Sequence, residues 1–291
     1  MYSDDALTPL VLPEKYNYIG AFLTFDCNLR CSYCINRFGD YSTVRKKMSG
    51  AEWLRGLNRI VPRHDLPVSL QGGEPTLHPD FQAIVANIRR DLHVDLLTNL
   101  EVDMTRFMAG IDPERMKRDA PYASIRVSYH PEVMIVEILA AKVLTLMKAG
   151  YSVGVWGVLH PRWSDEVLRA QHYCTSLGID FRTKEFLGEQ DGVLYGRFTY
   201  PGACDRRERK VVQCRTTELL IGPGGEVYRC HADLYAGRQP VGHLLDPDFV
   251  IDEGFRPCSD YGSCNPCDVK TKTNRFQTDG HTSVEILFDE R

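Results

Sequence analysis

The sequence predicts an α/β fold: a parallel sheet, open or partly closed into a barrel and covered by helices, followed by a small cysteine-rich unit. Three observations carry this. Over residues 1–186 apolar runs bounded by turn signals alternate with helical periodicities, the pattern of β/α units in series. From 187 onward the alternation stops and Gly, Pro and charge take over. The ten cysteines are uneven too: Cys27, Cys31 and Cys34 lie together near the start, and the other seven lie between Cys174 and Cys267.

Strands are expected at 18–25, 67–70, 94–98, 124–128, 153–159 and 180–183. A helix starts at Ser49, where Ser49 and Glu52 form a capping box ahead of Trp53, Leu54, Leu57 and Ile60. Others are expected at 81–92, at 133–149 before Gly150, and at 164–177 before Gly178. Trp53 suits a helix–sheet interface, and Cys174 falls on the core side of the last helix. Beyond a charged linker at 187–213, residues 219–221 and 226–229 flank Gly222-Pro223-Gly224-Gly225 as a β-hairpin. The run Arg206-Arg207-Glu208-Arg209-Lys210 has mixed sign and reads as a solvated face. Ligands of such a sheet bind at the carboxyl ends of its strands.

Composition excludes several classes. With 43% hydrophobic residues the chain is not disordered, and no window reaches the roughly 18 apolar residues of a membrane helix. A net charge of −4 argues against a bulk nucleic-acid surface. The acidic start lacks a secretory signal, so a cytoplasmic location is expected, where cysteines are more often metal ligands or catalytic groups than disulfides.

Cys27, Cys31 and Cys34 follow the first strand at C-x3-C-x2-C spacing. Three thiolates on one short loop can hold three irons of a cluster and leave a fourth without a protein ligand. A zinc knuckle lacking a ligand, or three buried hydrophobes, is the bland alternative. Gln71-Gly72-Gly73-Glu74-Pro75 ends the second strand, Thr98-Asn99 the third and Ser128 the fourth. Two glycines let backbone approach a ligand, and a carboxylate suits an ammonium.

This ordered set over 18–186, with Tyr33 before the last cysteine, resembles the radical S-adenosylmethionine (SAM) enzymes. The resemblance implies a partial (β/α)6 TIM-like barrel over 1–186. It implies a [4Fe–4S] cluster on Cys27, Cys31 and Cys34 with SAM at its open iron. Gly72, Gly73, Glu74 and Pro75 are then expected around the SAM amino group, and Thr98, Asn99 and Ser128 at its ribose and carboxylate. One-electron reduction gives methionine and a 5′-deoxyadenosyl radical that abstracts a substrate hydrogen atom. A donor such as flavodoxin or ferredoxin is expected.

Cys214-x10-Gly225-x4-Cys230 and Cys258-x5-Cys264-x2-Cys267 form a second group within 187–291. Cys214, Cys230, Cys264 and Cys267 can hold zinc or a second [4Fe–4S] cluster, and spacing alone does not separate them. The arrangement is similar to the Twitch domain, the shortened SPASM domain of radical SAM enzymes, which implies one auxiliary [4Fe–4S] cluster. Cys258 is either an alternative ligand or a free thiol that donates a hydrogen atom. Cys204 is either surface or site.

Tyr129 and His130 follow the fourth strand and are candidate substrate contacts at the barrel mouth, as is His160. Lys184 is a candidate for the SAM carboxylate or an acidic substrate. His78 reads as a helix start, and His231 as a solvated turn or a tuner of the second cluster. Only 26 residues precede Cys27, which favours a small-molecule or carbohydrate substrate over a peptide bound through a leader domain. The function expected is oxidation of that substrate with the auxiliary cluster as electron acceptor. Epimerisation, peptide maturation and a non-catalytic metal scaffold are the alternatives. Nucleotide cyclisation is set aside because the known cyclase arranges its C-terminal cysteines differently.

Overall fold

A computed structural model of the chain describes residues 7–34, 46–207, 209–272 and 280–288. Residues 1–6 of the acidic start, and Glu208 of the charged run, lie outside the described residues. Among the described residues no helix is long and apolar enough to cross a membrane.

The six expected strands are present as β1 (Tyr18–Thr24), β2 (Val68–Gly72), β3 (Val94–Thr98), β4 (Ile125–Tyr129), β5 (Val153–Leu159) and β6 (Phe181–Glu185). Each pairs in parallel with the next. Between them run α1 (Gly50–Leu57), α2 (Phe81–Asn87), α3 (Met104–Gly110), α4 (Val136–Lys148) and α5 (Ser164–Ser176). The Ser49/Glu52 capping box is formed. Trp53 and Cys174 are both fully buried in the helix–sheet core.

Strand alternation gives the sheet two faces. On β4, Ile125, Val127 and Tyr129 are buried against the helices, whereas Arg126 and Ser128 are half-buried on the other face, which lines the lumen. α2 ends at Asn87, short of residue 92, because Ile88 turns to extended backbone (ψ 133°). Buried Arg115 satisfies the carbonyls left open by that turn, donating to Val85, Ile88 and Leu92. α3 is additional to the helices that the periodicity predicts. Its local signal was the N-cap Asp103, which accepts the Arg106 N–H at 3.0 Å.

The C-terminal part is not a separate layer. After the short hairpin β7 (Gly188–Gln190) and β8 (Val193–Tyr195) comes β9 (Lys210–Thr216), then β10 (Glu218–Ile221) and β11 (Glu226–Tyr228). β10 and β11 are the expected hairpin, turning at Gly225 (φ +93°). β10 adds in parallel to the free edge of β1, Tyr18 opposite Glu218 and Ala21 opposite Ile221. With β12 (Gly242–His243) the described sheet runs β12-β11-β10-β1-β2-β3-β4-β5-β6, so residues from both sides of position 186 share it. β13 (Arg256–Tyr261) and β14 (Val284–Leu287) flank β9 in a second, antiparallel sheet. Two short helices, α6 (His231–Ala236) and α7 (Pro266–Val269), complete this part.

Buried Arg59 fastens the far end of the large sheet, donating to the carbonyls of Leu244 (3.0 Å), Asp246 (2.7 Å) and Phe249 (3.3 Å). Gly56 on α1 lets that segment approach, since a Cβ there would sit 2.5 Å from Leu244.

Candidate active site

The chain leaves β1 directly into the loop of Cys27, Cys31 and Cys34, above the carboxyl ends of β1–β6. Asp26, just before it, pairs with Lys47. Ser32 donates its N–H and hydroxyl to Glu132 (2.5 and 2.6 Å). Tyr33 O–H bonds His130 Nδ1 at 3.1 Å, and its ring lies 5.0 Å from His160. Asn28 Nδ2 donates to the Glu101 carbonyl at 2.9 Å. The loop is therefore fixed from β3, β4 and β5 at once. Burial, then the neighbouring sulfurs of Cys34 and Cys27 with Glu132, push the Cys31 thiol up to about 12. Burial pushes Cys27 up as well, with Glu74 and Cys34 adding to it.

At the end of β2 the backbone packs too tightly for side chains. A Cβ on Gly72 (φ +150°) would lie 2.0 Å from the Thr24 carbonyl oxygen, and one on Gly73 2.2 Å from that of Asp26. Glu74 is fully buried, and its oxygens accept from Thr76 Oγ1 (2.6 Å), Thr98 Oγ1 (2.8 Å) and the Asn99 N–H (2.7 Å). Burial raises its pKa against those hydrogen bonds. The carboxylate holds the ends of β2 and β3 together. Asn99 Nδ2 then donates to Asn28 Oδ1 at 2.7 Å, which joins this corner to the cysteine loop. Pro75 starts a single 3-10 turn, and His78 is buried there, bonded to the Met48 carbonyl at 2.9 Å, as a structural residue.

Ser128 faces the lumen opposite Trp156, and Tyr129 does not. Tyr129 is buried against Phe181 in the core, because adjacent strand residues point to opposite faces and the Arg126/Ser128 parity takes the lumen. Its expected place at the barrel mouth is thereby corrected. His130 stays beside the cysteine loop, where burial drives its pKa down to about 4. His160 is buried edge-on to Phe186, at 4.4 Å. Lys184, near the end of β6, is exposed, and crowding by the surrounding protein, with the nearby cations Arg126 and Lys270, pushes its ammonium down.

The C-terminal thiols converge. Cys204, Cys214, Cys230, Cys258 and Cys264 pack around one small apolar cluster with Val212, Tyr261 and Ile286. Cys214 and Cys258 are diagonal neighbours on β9 and β13 and hydrogen-bond to each other. Cys204 Sγ lies 3.4 Å from the Cys264 carbonyl, so this linker cysteine belongs with the group. Cys267 sits on α7 near Lys184. Cys230 caps α6 through its sulfur. Next to it, His231 is buried rather than solvated: its Nδ1 and N–H each lie 2.8 Å from Asp268, beside Cys267. The Tyr235 phenol, buried against Phe22 and Phe25, feels the sulfurs of both Cys267 and Cys34.

Comparison with known proteins gives this geometry a family. The radical SAM superfamily model matches residues 22–180. The chain belongs to the radical SAM superfamily. GTP 3',8-cyclase of Corynebacterium glutamicum is 27% identical over 174 residues, 55% of this chain and 46% of that protein. Human molybdenum cofactor biosynthesis protein 1 is 34% identical over 78 residues, 26% of this chain and 12% of that one. The chain thus spans less than half the length of these curated relatives. A solved structure described as native anSMEcpe with bound AdoMet and Kp18Cys peptide aligns with a TM-score of 0.52 at 15% identity. It covers 82% of this chain and 78% of that one, a likeness of fold.

Membership of the radical SAM superfamily implies a [4Fe–4S] cluster and SAM, and the residues fit both. Three thiols lie on one pinned loop, Cys27 and Cys31 each raised by burial and by the neighbouring sulfurs, and such a donor set would be stabilised by bound iron. Gly72 and Gly73 close the end of β2 tightly onto the Thr24 and Asp26 carbonyls, which brings this corner up beside the cysteine loop where SAM would bind.

Proposed function

We propose that this chain cleaves SAM reductively and oxidises a small-molecule substrate. Its auxiliary [4Fe–4S] cluster, on Cys214, Cys230, Cys264 and Cys267 in a Twitch-like unit, would accept the second electron. When bound, the cofactors supply a 5′-deoxyadenosyl radical and an electron sink. One observation carries the reading: Cys204, Cys214, Cys230, Cys258 and Cys264 gather around one small apolar cluster, and Cys267 follows on α7.

The chain's own residues would divide the remaining work. Cys27, Cys31 and Cys34 hold the SAM-binding cluster. Glu74, Thr98 and Asn99 fix the strand ends around Gly72 and Gly73, so that a SAM ammonium meets backbone with the carboxylate behind it. Ser128 faces the lumen as a polar contact for SAM. The packed rings of Tyr33, His130, His160 and Phe186 limit water at the cysteine loop. Cys258 stands diagonally across from Cys214 in the same thiol group, which supports a part for it at the auxiliary cluster rather than as a hydrogen donor.

A second reading, nucleotide cyclisation, draws on the likeness to GTP 3',8-cyclase. Anaerobic reconstitution with iron and sulfide tests the first. It predicts about eight irons per chain, and 5′-deoxyadenosine on reduction with SAM. In Cys258→Ala, iron falling towards about four per chain while SAM cleavage continues would make Cys258 a ligand in place of one of the four assigned cysteines. Intact iron with continued cleavage and lost product would instead make Cys258 a hydrogen donor. About four irons in the parent protein would remove the electron acceptor.

A further inference from the structure

Among the described residues three arginines are buried: Arg59, Arg115 and Arg229. Arg59 and Arg115 donate to backbone carbonyls, Arg59 also to the Thr8 hydroxyl, and so serve the packing of the barrel. Arg229 stands among the C-terminal thiols. It follows β11 and immediately precedes Cys230. Its Nη1 donates to the carbonyl of Pro257, the residue before Cys258, at 3.1 Å. Its Nη2 lies 3.4 Å from Asp233 Oδ2, and the Asp233 N–H donates to Cys230 Sγ, also at 3.4 Å. The guanidinium is therefore held on one side by the backbone next to Cys258 and on the other by the turn that carries Cys230. Those two cysteines pack with Cys204, Cys214 and Cys264 in one cluster. Asp233 is shared, since its Oδ1 accepts from Arg238 Nε at 3.0 Å, and Arg238 reaches on to Asp260. Charge thus alternates outward, from buried Arg229 and Asp233 to exposed Arg238 and half-buried Asp260.

A buried guanidinium is costly unless its charge is offset, and here the one carboxylate in reach is divided between two arginines. Thiolates around a cluster would offset the remainder. Reduction of a cluster held by four thiolates adds one negative charge to a centre that is already anionic, so a fixed cation beside it favours the reduced form. We propose that Arg229 raises the reduction potential of the auxiliary cluster, and that Asp233, by drawing on the same guanidinium, limits the rise. Arg229 coordinates no iron on this account; it tunes the centre through its charge, from a position fixed by Pro257 and Asp233. The inference rests on the auxiliary-cluster part of the reading above and deepens it, because a raised potential is what an electron acceptor for a substrate radical needs. The competing role is a clamp that only joins β13 to α6 through the Pro257 and Asp233 contacts. A clamp and a charge differ in one respect: the effect of a charge changes sign with the charge removed.

The test is an anaerobic redox titration of the reconstituted holoenzyme followed by electron paramagnetic resonance, with iron counted on every sample. It is run on the parent, Arg229→Met, Arg229→Lys and Asp233→Asn. In Arg229→Met the ratio of reduced to oxidised auxiliary cluster at the parent's midpoint is expected to fall about tenfold, a shift of about 59 mV to lower potential for one electron. Arg229→Lys keeps the charge without the planar fork and should stay within about threefold of the parent. Asp233→Asn removes the opposing charge and should move the ratio upward, by about threefold. The cluster on Cys27, Cys31 and Cys34 serves as the reference and should not move in any variant. An unchanged auxiliary midpoint in Arg229→Met with full iron overturns the proposal. So does a shift in the same direction in Arg229→Met and Asp233→Asn, which is the mark of a clamp. Where Arg229→Met loses auxiliary iron, the other two variants decide: a midpoint in Asp233→Asn that stays put or falls overturns the proposal, and one that rises while Arg229→Lys holds supports it. Failure of the auxiliary-cluster reading is seen separately, as a parent protein in which only one cluster titrates.

Discussion

The Glu74 carboxylate accepts the backbone N–H of Asn99 at 2.7 Å, so a fully buried side chain ties the end of β2 to the end of β3. The same carboxylate takes the Thr76 and Thr98 hydroxyls, and Asn99 passes the connection on to Asn28 in the cysteine loop. Glu74 thus positions two ligand-facing segments through others.

Replacing Glu74 by Ala strands the Thr98 hydroxyl and the Asn99 N–H in a buried corner. A loss of about 3–5 kcal/mol is expected, together with loss of SAM binding. Glu74→Gln keeps the volume but sets an amide among donors, so an intermediate loss is expected. Denaturant unfolding and SAM titration on both variants check the order.

Glu132 anchors the cysteine loop from outside, through Ser32. The contact is exposed, so Glu132→Ala should cost only about 0–1 kcal/mol of global stability. Its effect should fall on the loop: iron at the first cluster would be lost faster in air, with auxiliary iron unchanged. Mössbauer spectra of air-exposed samples separate the two clusters.

Asp268 accepts the His231 N–H and ring Nδ1, and the Ala232 N–H at 3.1 Å, and so holds α6, capped by Cys230, against α7, which carries Cys267. Asp268→Asn is expected to cost about 2–4 kcal/mol and to release auxiliary iron while iron on Cys27, Cys31 and Cys34 remains. If both clusters are retained in full, this pair does not set the distance between the two cysteine-bearing helices.

Glu218 on β10 is buried, which pushes its carboxyl up. Lys272, His231 and hydrogen bonds from Lys272 and Ser283 overcome this and hold it below the usual carboxylate range. A lowered carboxyl stabilises the fold above its unfolded pKa of about 4.3, and the contribution fades as pH falls through the folded value. In Lys272→Met burial acts with less opposition, so the deficit relative to the parent should reach about 3 kcal/mol near neutrality and shrink towards about pH 4. Melting curves across that range measure the gap; a gap independent of pH would mean the ion pair does not anchor β10.

Local signals made much of this protein legible. The β/α series, the Ser49 capping box and the hairpin around Gly225 rest on periodicity and turn chemistry within a few residues of each other. The loop of Cys27, Cys31 and Cys34 is a matter of covalent spacing, and Gly72 and Gly73 follow from the steric demands of one tight corner. Other features depend on which residues meet across long separations. β10 joins β1 across 200 residues, Tyr18 opposite Glu218, and nothing in either strand alone specifies that edge. Tyr129 points away from the lumen because strand parity is fixed by register with β3 and β5, which its own sequence leaves open by one residue. Likewise only packing could show that Glu74 is enclosed by its own neighbours. The sequence by itself determined the family chemistry, because thiol spacing and glycine corners act locally. Tertiary structure decided which side chains are free to meet a ligand, because burial and charge balance are properties of the surroundings rather than of the residue.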